Sequence, residues 1–315
     1  MKIVFLEPLG ISKQKLKEIT EGKIQNYDCE IVYYDNRVED EEILIERSKD
    51  ADIVVLSNFK YTKNIISQCP NLKMICVAFT GVDHVDVAYC RERGITVCNC
   101  AGYSTVAVAD LVFGFVINIA RNMKQCDQII RKGGTKDGLV GYELEGKKFG
   151  VIGLGAIGTR VAKIADAFGC QVYGYNRSKK NLENVKQVDM DTLLKECDIV
   201  SLHLPLNSET KGIISREKLM LMKENAIFIN TARGPVVDNT ALAEMLNDGR
   251  IAAAGIDVFD NEPPLPENTE LLTCKNAFLT PHVAFATQQA FEKRANIVAD
   301  NLKAFMDREP INRVV

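Results

Sequence analysis

Three ionisable side chains each stand just after an apolar run, and together they could transfer a proton and bind an anion. They are Arg233, Glu262 and His282, which follow the runs 226–229, 252–256 and 277–279. Parallel sheets bind ligands at the carboxyl ends of their strands, so strand ends could bring the three groups together. Imidazole exchanges a proton near neutral pH, and a carboxylate on its other nitrogen fixes the tautomer. A guanidinium binds a carboxylate through two parallel hydrogen bonds.

Spacing alone leaves the chemistry open. His282 fits a satisfied structural histidine equally well, and Arg233 fits one half of a surface ion pair. The pattern favours a reaction in which negative charge develops on an oxygen, because a proton donor and a cation must then lie near that oxygen. Transfer of a hydride to a carbonyl carbon is such a reaction.

A glycine pattern indicates where the hydride would come from. The segment 147–158 reads KKFGVIGLGAIG, and it runs an apolar strand into Gly153, Gly155 and Gly158 before the helical stretch 159–168. A turn this tight lets backbone N–H groups and a helix N-terminus face a pyrophosphate. The alternative is a strand-turn-helix junction that merely favours glycine. The coincidence of strand, spacing and helix predicts a bound dinucleotide.

The next strand, 170–175, bears on which dinucleotide is bound. Enzymes that use NAD normally carry an acidic residue about 20 positions after the glycines, on the ribose 2′-hydroxyl. Here no Asp or Glu occurs between Asp166 and Glu183, and the strand is followed by Asn176-Arg177-Ser178-Lys179-Lys180. A guanidinium and a hydroxyl suit a 2′-phosphate. We therefore favour NADP(H), with NAD(H) as the alternative. The other interpretation of the cations is an ordinary solvated turn.

Two series of apolar runs divide the chain. Runs at 2–6, 51–56, 73–79 and 95–98 alternate with polar stretches, and a second alternating series begins at Phe149. Alternation of this kind predicts parallel α/β sheets, and two series predict two domains. Between the series, 105–121 reads as a connecting helix and 131–146 as a surface excursion. Near the end, 288–307 is a further helix with one apolar face.

Composition describes an ordinary globular protein and excludes several functions. The 315 residues are 46% hydrophobic and 26% charged, with a formal net charge of -3. No concentrated basic face suggests nucleic-acid binding. The most apolar run, 105–120, is too short for a membrane span and contains Asp110. The start of the chain does not read as a secretory signal, so we expect a cytoplasmic protein. Ten cysteines without a C-x-x-C pair predict reduced thiols and no metal site.

Several motifs in order resemble the D-isomer-specific 2-hydroxyacid dehydrogenase family over essentially the whole length. They are TGVDHVD (80–86), AVAD (107–110), VIGLGAIG, HLPLNSET, NTARGPVVD, GIDVFDNEPP and TPHVAFAT. The resemblance implies that Arg233 binds the substrate carboxylate and polarises its keto group. It also implies that His282 is the acid/base and that Glu262 orients it.

The resemblance extends to the binding residues. Backbone amides around Thr80 and Gly81 would receive the substrate carboxylate, and Asp257 would hold the nicotinamide carboxamide. His203 is interpreted as a structural residue close to the cofactor. Together with the glycine turn and the segment after it, the predicted cofactor contacts are Thr105, Gly153, Gly155, Ala156, Ile157, Gly158, Asn176, Arg177, Ser178, His203, Leu204, Pro205, Thr210, Thr231, Ala232 and Asp257.

The family resemblance also implies an architecture of two doubly wound parallel-sheet α/β domains. A Rossmann nucleotide-binding domain, 102–285, would be inserted into a flavodoxin-like substrate domain formed by 1–101 and 286–315. The terminal helix would dock on the substrate domain, and a cleft between the domains would close over the substrate and exclude water. Family members are usually homodimers, which would associate through the nucleotide domain and the excursion 121–146.

Two aromatic residues bear on the size of the substrate pocket. Phe285 stands where the family motif after the histidine usually carries a small residue, so its ring could project toward the substrate. Tyr103 is similar to the lactate-type and glycerate-type branches, in which an aromatic hydroxyl approaches the substrate. Phe59, Lys60 and Tyr61 are further candidates for the pocket wall. Ordinary loop packing would explain each of them as well.

The resulting prediction is an oxidoreductase that reduces a small 2-keto acid, such as hydroxypyruvate, glyoxylate or pyruvate, to the D-2-hydroxy acid. One alternative is an enzyme similar to D-3-phosphoglycerate dehydrogenase. Another is a non-catalytic, NAD(H)-sensing protein similar to the corepressors that share this fold. The catalytic set Arg233, Glu262 and His282 favours the enzyme.

Overall fold

The computed structural model describes residues 1–261 and 264–315 and divides the chain into two units. The first comprises Met1–Ser104 and Ala286–Val315, and the second comprises Thr105–Phe285. The second unit is therefore one continuous segment of the chain, and the first unit is built of the two terminal segments on either side of it.

Strands and helices alternate through most of the described chain. The strands are β1 (Lys2–Phe5), β2 (Glu30–Tyr33), β3 (Ile53–Leu56), β4 (Met74–Val77), β5 (Thr96–Cys98), β6 (Lys148–Ile152), β7 (Gln171–Tyr175), β8 (Val185–Gln187), β9 (Ile199–Leu202), β10 (Ile227–Asn230), β11 (Ala253–Ile256) and β12 (Ala277–Leu279). The helices are α1 (Lys13–Ile24), α2 (Glu41–Ser48), α3 (Lys63–Ser67), α4 (Val87–Glu92), α5 (Thr105–Ala120), α6 (Met123–Ile130), α7 (Ala156–Ala167), α8 (Met190–Glu196), α9 (Arg216–Leu219), α10 (Asn239–Asn247) and α11 (Gln288–Met306).

The first unit is a five-stranded parallel sheet in the order β2-β1-β3-β4-β5. This is the flavodoxin-like order, as predicted. Strands β3 and β4 are fully buried, which explains why they read as unbroken apolar runs. Helix α11 packs on α1 and β4, and the Thr287 hydroxyl caps its N-terminus by accepting from the Ala290 N–H. The last helix therefore belongs to this unit.

The second unit is a seven-stranded parallel sheet in the order β12-β11-β10-β9-β6-β7-β8. The chain starts in the middle of the sheet at β6, proceeds to one edge through β7 and β8, and then crosses back to β9 on the other side of β6. This reversal is the switch point at which doubly wound folds bind dinucleotides. The prediction of two parallel-sheet domains, one of them a Rossmann domain, is confirmed.

Two edge strands escaped the sequence analysis. β2 is only partly buried, and β8 is a three-residue strand with the charged Lys186 at its centre. Edge strands have a face and a side open to water, so they lack the apolar run that marks a central strand. Both pair in parallel with a neighbour that was predicted, β1 and β7 respectively.

Helix α5 is the predicted connecting helix, and most of its apolar side chains are buried in the second unit. No single helix of the described residues has the length and hydrophobicity to cross a membrane; only α5 and α6 taken together, bent by 57° at their junction, meet that test by length and composition. All ten cysteines are free thiols, and eight of them are buried.

An aspartate stands at the same structural position in each unit. In the first unit, Asp52 Oδ2 accepts the Lys2 N–H at 2.8 Å and Oδ1 accepts from Lys73 Nζ at 2.6 Å. In the second, Asp198 Oδ2 accepts the Lys148 N–H at 2.9 Å and Oδ1 accepts from Lys223 Nζ at 2.8 Å. Each carboxylate precedes a central strand and ties it to the first amide of the neighbouring strand. The same arrangement thus fixes the amino-terminal edge of both sheets.

We expect both carboxylates to stabilise the fold at neutral pH. Burial raises the pKa of each, but the hydrogen bonds from lysine and from the backbone outweigh it, so that both pKa values are below the ordinary value. A depressed folded-state pKa gives stability that is present above the unfolded value of about 3.9 and is lost as pH falls through the folded value. The substitutions Asp52→Asn and Asp198→Asn should each lower the free energy of unfolding at pH 7 by about 1 kcal/mol.

Urea denaturation of each variant at pH 7 and pH 3 checks this expectation. The difference from the wild type should shrink at pH 3, because these carboxyl groups are already largely protonated in the unfolded chain below its pKa of about 3.9. Asp127→Asn is the matched control, because the exposed Asp127 carboxylate accepts from Arg131 on the surface of α6, and such exposed pairs contribute about 0–0.5 kcal/mol. A loss as large in the control, or a loss that is constant with pH, would contradict the assignment.

Candidate active site

The glycine turn after β6 is built for close backbone approach. Gly153 has φ +99°, and a Cβ there would lie 2.5 Å from the His203 carbonyl oxygen. A Cβ on Gly158 would lie 1.9 Å from the Gly153 carbonyl oxygen, so the first turn of α7 can pack on the strand only because both residues lack side chains. Gly155 differs, because nothing lies within 4 Å of the Cβ position. Two glycines serve packing, and the third keeps a surface open.

That open surface fits the pyrophosphate of a dinucleotide. Gly155 is the N-cap of α7 and offers no side-chain hydrogen bond to the first helical amides, unlike Asp238, which caps α10 by accepting from the Ala241 N–H. The amides at the start of α7, beside Ala156 and Ile157, are thus left for an external anion. A bare glycine at the helix start with free space above it is the arrangement that this cofactor requires.

The ribose-binding end is formed by the segment after β7. Asn176 Oδ1 accepts the Leu154 N–H of the glycine turn at 3.1 Å, and Asn176 Nδ2 donates to the carbonyl and hydroxyl oxygens of Ser178. Arg177 is 85% exposed, and its Nη1 lies 2.5 Å from Glu209 Oε2. The residue at the usual acidic position is therefore an amide whose groups bind the turn and the loop, next to an exposed guanidinium.

The loop after β9 faces the glycine turn from the other side. The His203 N–H donates to the Ile152 carbonyl at 2.8 Å, and its Nε2 lies 2.9 Å from the Ser201 hydroxyl. Burial lowers the pKa of His203 to about 3, so its imidazole is neutral at physiological pH. It fills space beside the turn and forms a hydrogen bond with Ser201. After Leu204, the Thr210 hydroxyl donates to the Pro205 carbonyl at 2.6 Å and closes a compact turn.

The loop after β10 carries Arg233 and the buried hydroxyl group of Thr231. Asn230 Oδ1 accepts the Ala232 N–H at 3.0 Å, and Asn230 Nδ2 donates to the Arg233 carbonyl. Arg233 Nη1 donates to the Ala232 carbonyl at 2.8 Å. The Thr231 hydroxyl is buried and finds no hydrogen-bond partner in the described part of the chain. A buried donor in this position fits the predicted contact with a cofactor.

The segment that carries His282 is held by Asp257. Asp257 is fully buried, and its carboxylate accepts from the Thr280 hydroxyl at 2.5 Å and from the N–H groups of Val283 and Ala284 at 2.8 and 2.9 Å. The His282 N–H donates to the Asp257 carbonyl at 2.9 Å. Burial raises the pKa of Asp257, while these hydrogen bonds and the neighbouring His282 act in the opposite direction. The sequence predicted a cofactor contact here, and the structure adds a clamp that fixes the histidine loop.

His282 itself has φ +53°, a left-handed conformation that is uncommon for a side-chain-bearing residue. The ring of Phe285 meets the imidazole edge-on at a centroid distance of 5.4 Å. Phe285 therefore forms one wall beside the histidine, next to the site where a substrate is expected. Glu262, the predicted orienting carboxylate, lies outside the described residues.

The predicted substrate residues of the first unit follow β4 and β5. Thr80 is exposed, and its carbonyl accepts from Asn99 Nδ2 at 2.8 Å, while Gly81 is half-buried. Tyr103 is almost fully buried, and the guanidinium of Arg294 lies over its ring, 5.6 Å from the centroid. The pKa of the Tyr103 hydroxyl is raised by burial. An aromatic hydroxyl that approaches the substrate would have to emerge from this packing, so this role stays a prediction.

The predicted residues of the second unit thus lie together at the carboxyl ends of the strands of its sheet. The ends of β12, β11 and β10 are neighbours and carry His282, Asp257 and Arg233, and the ends of β9, β6 and β7 carry the cofactor residues. Sequence reasoning missed the Thr280 hydroxyl and the Asp257 clamp, because their partners are 23 to 27 residues apart in the chain. In the described residues no group of three His, Cys, Asp or Glu side chains could hold a metal ion.

Comparison with known proteins gives the family. Residues 113–284 match the model of the D-isomer specific 2-hydroxyacid dehydrogenase NAD binding domain. The chain belongs to the D-isomer specific 2-hydroxyacid dehydrogenases. A glyoxylate reductase from Thermococcus litoralis is 41% identical over an alignment of 280 residues, and the match covers 85% of this chain and 84% of the relative. The dehydrogenase is therefore an oxidoreductase with a nicotinamide-binding Rossmann domain.

Two further similarities are informative. A D-3-phosphoglycerate dehydrogenase from Methanocaldococcus jannaschii is 40% identical over an alignment of 281 residues, and the match covers 87% of this chain but 53% of that relative. The structure described as an acyclic imino acid reductase (Bsp5) in complex with NADPH and D-Arg superposes with a TM-score of 0.91 at 33% identity and covers all of both chains. The dehydrogenase thus shares its fold, along the full length of both chains, with a protein solved in complex with NADPH.

Proposed function

We propose that the dehydrogenase reduces a small 2-keto acid, of the glyoxylate, hydroxypyruvate and pyruvate class, to the D-2-hydroxy acid with NADPH as its preferred cofactor. The observation that carries the proposal is the order of strand ends in the second unit. It sets Arg233 and the Asp257-clamped His282 on the same sheet edge as the open glycine turn. The similar glyoxylate reductase supports the substrate class.

The chemical roles follow from what each group can do. The cofactor, when bound, supplies a hydride to the keto carbon. Arg233 binds the substrate carboxylate and draws electron density toward the keto oxygen. That oxygen receives the electron pair of the C=O bond, and His282 gives it a proton, which completes the hydroxyl group. Asp257 keeps the histidine loop in place, and Phe285 limits the space beside it.

The NADP preference rests on the segment after β7. This segment has no carboxylate that could accept a hydrogen bond from the 2′-hydroxyl, because Asn176 stands at the usual acidic position. Arg177 and Ser178 are exposed beside it. A guanidinium and a hydroxyl are suited to hold the dianionic 2′-phosphate. The similarity to an imino acid reductase solved with NADPH supports the same preference.

Steady-state kinetics with a panel of keto acids tests the proposal. Each of glyoxylate, hydroxypyruvate, pyruvate and 3-phosphohydroxypyruvate should be offered with NADPH and with NADH. We expect a higher kcat/KM for an unphosphorylated acid and for NADPH. Highest activity on the phosphorylated acid would support the alternative of a D-3-phosphoglycerate dehydrogenase. Equal efficiency with both cofactors would contradict the NADP preference.

A second candidate is reduction of an imino acid, which the similarity over all of both chains favours. The panel should therefore include the keto acids with and without ammonium. A protonated imine already carries its proton on nitrogen, so hydride transfer to it needs no acid such as His282. A rate that appears only with ammonium and survives substitution of His282 would favour this candidate.

We further propose a homodimer that uses the segment 121–146. Large apolar side chains on this segment are exposed, among them Met123, Ile130 and Val140. An exposed group of large apolar side chains typically marks an interaction surface. A second copy of this chain is the partner that the family resemblance predicts, and a mass in solution equal to one 35.0 kDa chain would contradict it.

A further inference from the structure

Glu209 occupies a position that the proposed cofactor preference does not explain. It lies seven residues beyond the end of β9 and belongs to the turn that Thr210 closes on Pro205. Its N–H donates to Asn207 Oδ1 at 2.9 Å, so its backbone is fixed although its side chain is 67% exposed. The side chain reaches across to Arg177 in the loop after β7. Strands β9 and β7 flank β6, so this ion pair spans the mouth of the glycine turn.

Arg177 and Glu209 favour different groups at the 2′ position of the cofactor ribose. A 2′-phosphate carries about -1.5 to -2 charges, which attract Arg177 and repel a carboxylate a few ångströms away. A 2′-hydroxyl is a donor that a carboxylate accepts well and that a guanidinium cannot accept at all. No carboxylate follows β7 directly, but Glu209 in the loop after β9 brings a carboxylate to the Arg177 guanidinium beside that position.

We propose that Glu209 is a specificity residue that competes with the 2′-phosphate of NADP(H) for Arg177 and accepts the 2′-hydroxyl of NAD(H). Ion pairs this exposed contribute about 0–1 kcal/mol, so a phosphate can displace the carboxylate at little cost. Arg177 then turns to the phosphate, and Glu209 moves into solvent. With NAD(H), the pair stays together and Glu209 binds the ribose. This inference rests on the proposed dinucleotide site, and it predicts tolerance of both cofactors with a preference set by one carboxylate.

Nucleotide fragments test the idea without turnover. The probes are 5′-AMP and 2′,5′-ADP, which differ only by the 2′-phosphate, titrated calorimetrically into the full-length protein. Substitution Glu209→Gln removes the competing charge and keeps the size of the side chain. It should tighten 2′,5′-ADP binding about three- to tenfold and weaken 5′-AMP binding about threefold. Arg177→Gln should weaken 2′,5′-ADP about 10- to 100-fold and leave 5′-AMP within about threefold.

Glu217→Gln is the charge-matched control. Glu217 is an exposed carboxylate at the start of α9 that accepts from the Ser215 hydroxyl and is not part of the cofactor loops. The substitution Glu217→Gln should change the affinity for 5′-AMP and the affinity for 2′,5′-ADP by no more than about twofold, which is below 0.5 kcal/mol. If Glu209→Gln leaves the ratio of the two dissociation constants unchanged, the pair is an ordinary surface contact and the inference is wrong. It is equally wrong if the control shifts the ratio as far.

The outcome is separable from that of the proposed function. A protein that reduces no keto acid but shows the shifted ratio in Glu209→Gln would refute the substrate class and support the role of Glu209. A wild type that binds both probes equally would refute the NADP preference, and the effect of Glu209→Gln would still decide this inference. With NADPH and NADH as substrates, the same variant should change the two KM values in opposite directions and leave kcat nearly constant.

Discussion

Replacing His282 should reduce kcat for keto-acid reduction about 10²- to 10⁴-fold, the usual loss when general acid/base assistance is removed. The reason is that the developing alkoxide would then have to take its proton from water. Because His282 has φ +53°, the replacement should be one that accepts a left-handed backbone. His282→Asn meets this condition, since Asn is among the residues that adopt this conformation most readily.

Three measurements separate chemistry from structure in this variant. The affinity for NADPH should stay within about threefold, since the glycine turn and the segment after β7 are untouched. The urea midpoint should also stay close to that of the wild type. Added imidazole should restore part of the rate, because a free imidazole can enter the space and supply the proton. A full rate in His282→Asn, or a lost rate with lost cofactor binding and no rescue, would overturn the assignment.

The sequence predicted local features well and long-range contacts poorly. The glycine turn could be identified because strand, glycines and helix are contiguous between 147 and 168, and steric necessity limits such positions to glycine. The central strands were likewise marked by unbroken apolar runs. Strands β2 and β8 were missed because half-buried edges carry polar residues.

The electrostatics of the site could not be predicted in the same way. The sequence located Asp257 and His282, but not the hydrogen bonds from Val283 and Ala284 that make Asp257 a clamp, because these depend on how β11 and β12 pair. Between Asp166 and Glu183, the sequence around Arg177 holds no carboxylate. Glu209 is 32 residues away and comes close only through the strand order β9-β6-β7. Strand order places residues that no local pattern connects.

A pair of glycine substitutions in the turn should separate folding from cofactor binding. In Gly158→Ala the new Cβ would stand 1.9 Å from the Gly153 carbonyl oxygen, so α7 must move off the strand. The two nearest atoms belong to the Gly153 backbone, so the rotation of a side chain cannot relieve the clash. We expect a loss of about 3 kcal/mol in the free energy of unfolding, with loss of cofactor binding as a consequence.

Gly155→Ala is the matched substitution, because the same methyl group enters open space at φ -75°. The unfolding free energy should stay the same or rise by about 0.4–1 kcal/mol, since alanine restricts the unfolded chain. The methyl group would nevertheless stand where the pyrophosphate approaches the backbone, so KM for NADPH should rise about tenfold or more, equivalent to about 1.4 kcal/mol. Urea denaturation and NADPH titration of both variants check this pair. If Gly155→Ala binds NADPH as the wild type does, the pyrophosphate does not lie over this turn, and the cofactor site must be sought elsewhere on the sheet edge.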